Sequence, residues 1–112
     1  MEITIAHHDG YTLAATSGPL DDSSPQVFRD VLHPLFNQRG ARLVVDIAGS
    51  PRISSDGLTA MVRLVSDANT RGGRVVFAAP TPFVSEVFRV TRLEKYFDIV
   101  ATADSAMDAM TV

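Results

Sequence analysis

The stretch RISSDGL, residues 52–58, sets two hydroxyls and a carboxylate, Ser54, Ser55 and Asp56, between a run of apolar residues and an amphipathic segment. Serine and aspartate at such a junction can cap a helix, serve as a nucleophile, or carry a phosphate. Placing Ser54 at the N-cap makes Ile53 the N′ residue and Leu58 the N4 residue, the spacing of a hydrophobic staple. In that register the Ser54 hydroxyl accepts a backbone N–H, worth about 1 kcal/mol. Asp56 then lies in the first turn, where the positive end of the helix macrodipole favours it. Ser55, at N1, has no capping duty. A phosphate placed on it would be tolerated by the helix start while projecting a large new charge outward. Capping alone also explains a Ser/Asp cluster at a helix start, so the composition of RISSDGL does not by itself separate the two readings.

Other chemistries find little support. A serine hydrolase needs a nucleophile elbow such as G-x-S-x-G together with a base, and ISSDGL has neither. No P-loop, G-x-G-x-x-G fingerprint or paired histidine ligand is present, and no cofactor is implied. His7 and His8 are neighbours on an expected strand and point to opposite faces, which disqualifies them as a chelating pair. His33 stands beside Pro34 without a ligand partner at metal spacing, so all three histidines read as surface or packing residues. The chain has no cysteine, which removes disulfides and thiolate zinc sites and suits a reducing compartment. Its formal charge is −3, and its ten basic residues are scattered along the sequence, which argues against a nucleic-acid partner. The amino terminus lacks a secretory pattern and no apolar run is long enough to insert in a membrane, so a cytoplasmic location is expected.

The elements that must position RISSDGL follow from the apolar periodicity. With 112 residues and 46% hydrophobic composition, one folded domain over 1–112 is expected. The period switches repeatedly between about 2 and about 3.6, the pattern of alternating strands and helices. Residues 2–7 and 11–17, separated by Asp9-Gly10, predict an opening hairpin. Ser24-Pro25 predicts a helix N-cap followed by proline at N1, and Pro34 predicts a kink or split before Gly40 ends the segment. RLVVDI, residues 42–47, predicts a central strand covered on both faces. A second helix from Ser55 to about Thr70 keeps Leu58, Met61, Val62 and Val65 on one face and stops at Gly72-Gly73. RVVFAA then predicts a strand, Thr81-Pro82 opens a third helix, TRLEKYF reads as a solvated turn, FDIVAT predicts a short strand, and Asp104 caps a final helix to Met110. The sum is an α/β domain with a mostly parallel sheet of four to five strands, one antiparallel edge strand and about four helices.

DIAGSPRISSDGL, residues 46–58, resembles the signature segment of the STAS family, in which a buried strand leads through a short loop to a Ser-containing, Gly-Leu-terminated helix start. GPLD, residues 18–21, resembles that family's Gly-x-Leu/Ile-Asp before the first helix, and RGGRVVFAAPTPFVSEVFRVTRLEKYFDIV is similar to its Gly-Gly strand, P-x-V helix and L-x-x-x-F-x-I ending. Practically the whole chain is covered. The free-standing members of this type are anti-sigma factor antagonists, non-catalytic proteins that bind an anti-sigma factor with serine kinase activity and are phosphorylated at the start of the second helix. The resemblance implies Ser55 as phosphoacceptor, surrounded by Asp21, Ser54, Asp56, Gly57 and Leu58. It departs from the pattern twice: Ser54 replaces an aspartate, and Asp56 stands where a small residue is usual. A second reading keeps the fold but makes the chain an accessory subunit of a transporter or signalling complex.

Overall fold

The computed structural model describes residues 1–110. Strands β1 (Glu2–His8) and β2 (Tyr11–Ser17) form the expected hairpin, with His8 opposite Tyr11 and Gly10 at φ +85°, a conformation that costs a residue without Cβ little. Strands β3 (Arg42–Gly49), β4 (Arg74–Ala78) and β5 (Asp98–Val100) follow, and the sheet order is β1-β2-β3-β4-β5. Among the described residues only the β1–β2 pair is antiparallel; β3 pairs in parallel with β2 and β4, so RLVVDI is the middle strand.

The alternation of β3 divides the core between two layers. Leu43, Val45 and Ile47 join a large cluster with Phe28, Met61, Leu64, Val84 and Phe88. These come from helices α1 (Ser24–Val31), α2 (Ser55–Thr70) and α3 (Pro82–Val90), which therefore share one face of the sheet. Val44 points the other way and packs with Val76, Ala78, Ala106 and Met110, so α4 (Ala103–Met110) covers the opposite face. Burial on both faces is the reason β3 and β4 read as continuous apolar runs.

Four local expectations need correction. Ser24 does not cap α1; it is the first helical residue and is fully buried, and its hydroxyl accepts from the Asp21 N–H at 2.9 Å. Ser23 occupies the cap position, already helical, with no side-chain cap bond. Asp104 does not cap α4 either: Thr102 does, its hydroxyl accepting the Ser105 N–H at 3.1 Å three residues on. The last strand is confined to Asp98–Val100, because Phe97 turns into the core and meets Phe77 and Phe88 edge to face. The preceding TRLEKYF is accordingly a 3-10 turn pinned at Leu93 and Phe97 rather than a fully solvated one. Pro34 behaves as expected: α1 ends at Val31 and a separate 3-10 helix runs from His33 to Asn37.

Phe77 is fully buried and shared between the β4 strand and the Phe97 ring. Truncation to Phe77→Ala is expected to lower unfolding free energy by about 3–5 kcal/mol, measured as a reduced urea midpoint at unchanged slope.

Candidate functional site

The site is built where β2 and β3 end and the chain must leave the sheet. Beyond Ala15 the β2–β3 register shifts, so that Ser17 pairs with Gly49. A Cβ on Gly49 would collide with the Thr16 carbonyl oxygen, which makes glycine necessary at this crossing. Below it, the buried hydroxyls of Thr16 and Ser50 satisfy each other at 2.6 Å, so neither is left unpaired as the chain turns. Sequence reading missed this pair; its one signal is a Ser-Pro step directly after an apolar strand.

Two loops then run side by side. The Gly18 N–H donates to the Gly49 carbonyl at 3.0 Å, the Leu20 N–H to the Arg52 carbonyl at 2.9 Å, and the Ser54 N–H to the Leu20 carbonyl at 2.8 Å. Leu20 and Ile53 form a parallel bridge, and both side chains are buried in the main core. GPLD and RISSDGL, about thirty residues apart in sequence, are in this way fastened together.

This clasp fixes the start of α2. Ser54 is its N-cap in an extended conformation, φ −101° and ψ 178°, and its Oγ accepts the Gly57 N–H at 3.4 Å. Ile53 and Leu58 both pack into the main core, as the staple spacing requires. Gly57 has a separate duty: a Cβ there would lie 2.8 Å from the Leu20 carbonyl carbon and 2.9 Å from the Leu20 Cβ. The glycine of SSDGL is therefore the residue that lets the neighbouring loop touch the helix. Ser55, the first residue of α2, is exposed; its carbonyl accepts from Thr59 Oγ1 at 2.9 Å, and its own hydroxyl bonds to no group among the described residues. Asp56 is exposed beside it in the first turn.

Asp21 lies one residue past the clasp, but its carboxylate is turned to α1. It accepts the Ser23 hydroxyl at 2.6 Å and the Ser23 N–H at 3.0 Å, and these bonds hold its pKa below the ordinary carboxylate value. Its charged form is favoured in the folded chain, so this contribution is complete above the ordinary carboxylate pKa and fades as pH falls through the lower folded value. No hydrogen bond joins Asp21 to Ser55 among the described residues, so the two share a surface rather than a contact.

The third wall comes from α3. Thr81 caps that helix, accepting the Val84 N–H at 3.3 Å, and its hydroxyl also reaches the Pro51 carbonyl at 3.2 Å. Phe83, 51% exposed despite its size, lies with its ring centroid 5.9 Å from the Arg52 guanidinium carbon. Neither Arg52 nor Phe83 stood out in the sequence, because the contact joins two segments thirty-one positions apart. The histidines lie elsewhere: His7 faces Thr12 at 3.3 Å, His8 stacks on Tyr11, and His33 bonds Asp67 at 2.9 Å, a tertiary partner the local spacing could not reveal. Among the described residues no cluster of side chains could hold a metal ion, and no helix is long and apolar enough to cross a membrane.

Ser54→Ala is expected to cost about 1 kcal/mol, whereas Ser55→Ala should stay within about 0.5 kcal/mol of the parent, both read by denaturant unfolding. Gly57→Ala should destabilise more than either, despite the better helix propensity of alanine.

Comparison with known proteins gives a consistent picture. The STAS domain family matches residues 2–106. Among solved structures, the Thermotoga maritima protein TM1081 superposes with a TM-score of 0.84 at 19% identity, covering 98% of this chain and 95% of the other. An anti-sigma factor antagonist from Mycobacterium paratuberculosis gives 0.80 at 22% identity, with 99% and 94% covered. The anti-sigma factor antagonist SpoIIAA, in its unphosphorylated form, gives 0.74 at 14% identity, with 96% of each chain covered. At these identities the superpositions establish a common fold over essentially the full length.

Proposed function

The chain belongs to the STAS domain family, and from that premise we propose that it is an anti-sigma factor antagonist whose binding is switched by phosphorylation of Ser55. The observation that carries this reading is the Ser55 hydroxyl: exposed, at the first position of α2, and free of any bond among the described residues on a backbone fixed by the Leu20–Ile53 bridge. A kinase needs an accessible hydroxyl at a reproducible position, and Ser55 supplies one. Ser54 is the poorer acceptor, since its oxygen is engaged with the Gly57 N–H and its modification would disturb the cap.

The switch is electrostatic. Phosphorylation adds about −1.5 to −2 charge at neutral pH. The macrodipole at the start of α2 offsets part of that charge, so the helix itself survives. The surface outside already carries Asp56, Asp21 and Asp22, with Arg52 as the nearby cation. A partner that fits the unmodified surface must then desolvate a dianion among carboxylates, and the complex dissociates. The partner in this reading is an anti-sigma factor with serine kinase activity, sigma factor availability is the downstream readout, and both events take place in the cytoplasm. The protein binds and does not catalyse. Ser54 replaces the aspartate found in relatives without loss of capping, and Asp56 restores a carboxylate on the other side of Ser55.

The test uses the cognate serine kinase with Mg-ATP. Phosphate should appear on Ser55 by mass spectrometry and vanish in Ser55→Ala, while Ser55→Glu should bind the partner at least about tenfold more weakly, a loss of about 1.4 kcal/mol. Equal affinity of Ser55→Glu and the parent would sink the switch, and absence of any modification would favour an accessory-subunit role.

A further inference from the structure

At the opposite end of the sheet from Ser55, the β1–β2 turn and the loop entering β3 enclose a cleft of about 430 Å³. We propose that this cleft is a binding site for a small multivalent oxyanion of the phosphate class, a proposal independent of any role for Ser55. Its lining brings together His7, His8, Arg39 and Arg42, with the Gln38 amide, and contains no carboxylate. These residues come from two segments about thirty positions apart, and the β2–β3 pairing, Thr12 beside Leu43, gathers them. Asp9 lies in the adjoining turn but is exposed and does not line the cleft.

The donors have capacity to spare. Arg39 makes no hydrogen bond or ion pair among the described residues, although most arginines at this end of the fold are engaged: Arg71 with Asp67 and Arg74 with Asp98. Arg42 commits Nη1 to the Met110 carbonyl at 2.8 Å, which anchors its side chain and leaves the remainder of its fork open. His7, hydrogen-bonded to Thr12 through Nδ1, lies on the Leu43 face of the sheet, opposite to that of Arg42, and forms a wall of the cleft. Two guanidinium forks in the lining of one concavity suit a tetrahedral oxyanion, whose oxygens accept paired N–H bonds. The volume lies in the range of small-ligand sites and exceeds what one orthophosphate fills, so a diphosphate or phosphorylated metabolite is the better match. At this end Asp67 and Asp98 are taken up by Arg71 and Arg74, so neither carboxylate is set against Arg39 or Arg42.

The experiment titrates the intact protein with inorganic pyrophosphate at low ionic strength, following the amide resonances of Gly10 and Gly40. Saturable shifts confined to the cleft, with a dissociation constant below about 1 mM, are expected. Arg39→Glu should weaken binding at least about tenfold, and the double variant Arg39→Ser, Arg42→Ser should abolish it, with unchanged melting temperature of Arg39→Glu showing that the fold is intact. Co-sedimentation with vesicles containing phosphatidic acid would identify a lipid headgroup as the source of the anion; no co-sedimentation, with pyrophosphate still saturating, would identify a soluble one. Shifts that rise linearly without saturation, or that persist in Arg39→Glu, would overturn the site.

Discussion

Everything at the candidate site depends on a short piece of parallel pairing that lies outside the sheet proper. After β2 and β3 part from regular register at Gly49, Leu20 bridges Ile53 and exchanges hydrogen bonds with Arg52 and Ser54. Each bond is worth roughly 1 kcal/mol net, a modest amount. Geometry is the larger effect: the bridge decides where α2 begins, which residue caps it, and which serine is left unoccupied. The requirement is tight enough to forbid a Cβ at Gly57, where helix propensity would otherwise favour alanine.

The same pairing accounts for the distribution of charge. Parallel strands place all their carboxyl ends at one pole, and the helices between them begin there, so positive helix ends and the loops before them share a surface. Asp21, Asp46 and Asp56 lie at that pole, Asp46 accepting the Ala48 N–H at 3.0 Å and Asp21 fastened to Ser23. At the other pole the strand starts bring in Arg42, Arg74 and Asp98, and the turns and helix ends add Arg39, Arg71, Asp67 and two histidines, with Arg71 paired to Asp67 and Arg74 to Asp98. Among the described residues, a chain with a small net charge thus sets carboxylates outside any ion pair beside the start of α2, and a mixture of ion pairs and an unpaired Arg39 at the opposite pole.

Much of this was legible from periodicity and much was not. The five strands and four helices follow from runs such as RLVVDI and from the Leu58, Met61, Val65 stripe, because burial on one or both faces writes itself into local order. The Ser54 cap was readable for the same reason, since its partner is three residues away. Capping failed at Ser24, where tertiary burial and the Asp21 N–H outweigh the local preference, and at Asp104, where Thr102 sits one residue before the helix. The Arg52–Phe83 contact, the Thr16–Ser50 pair, the His33–Asp67 bond and the arginine-lined cleft each join distant segments, and no local pattern encodes them. Charged residues that looked scattered along the sequence are gathered only by the sheet.

The Leu20–Ile53 bridge also has a bearing on the order of folding. The loop it closes runs over residues 21–52 and contains all of α1 and β3, so the bridge, like the β2–β3 pairing it extends, is a non-local contact that is slow to form compared with a helix. A nascent or partly unfolded chain would contain the letters ISSDGL and even a fraying helix, yet not the surface that surrounds them. Arg52, Ser55 and Phe83 come together as one surface only when the parallel topology beneath them, with Leu20 buried under the helix start, is complete.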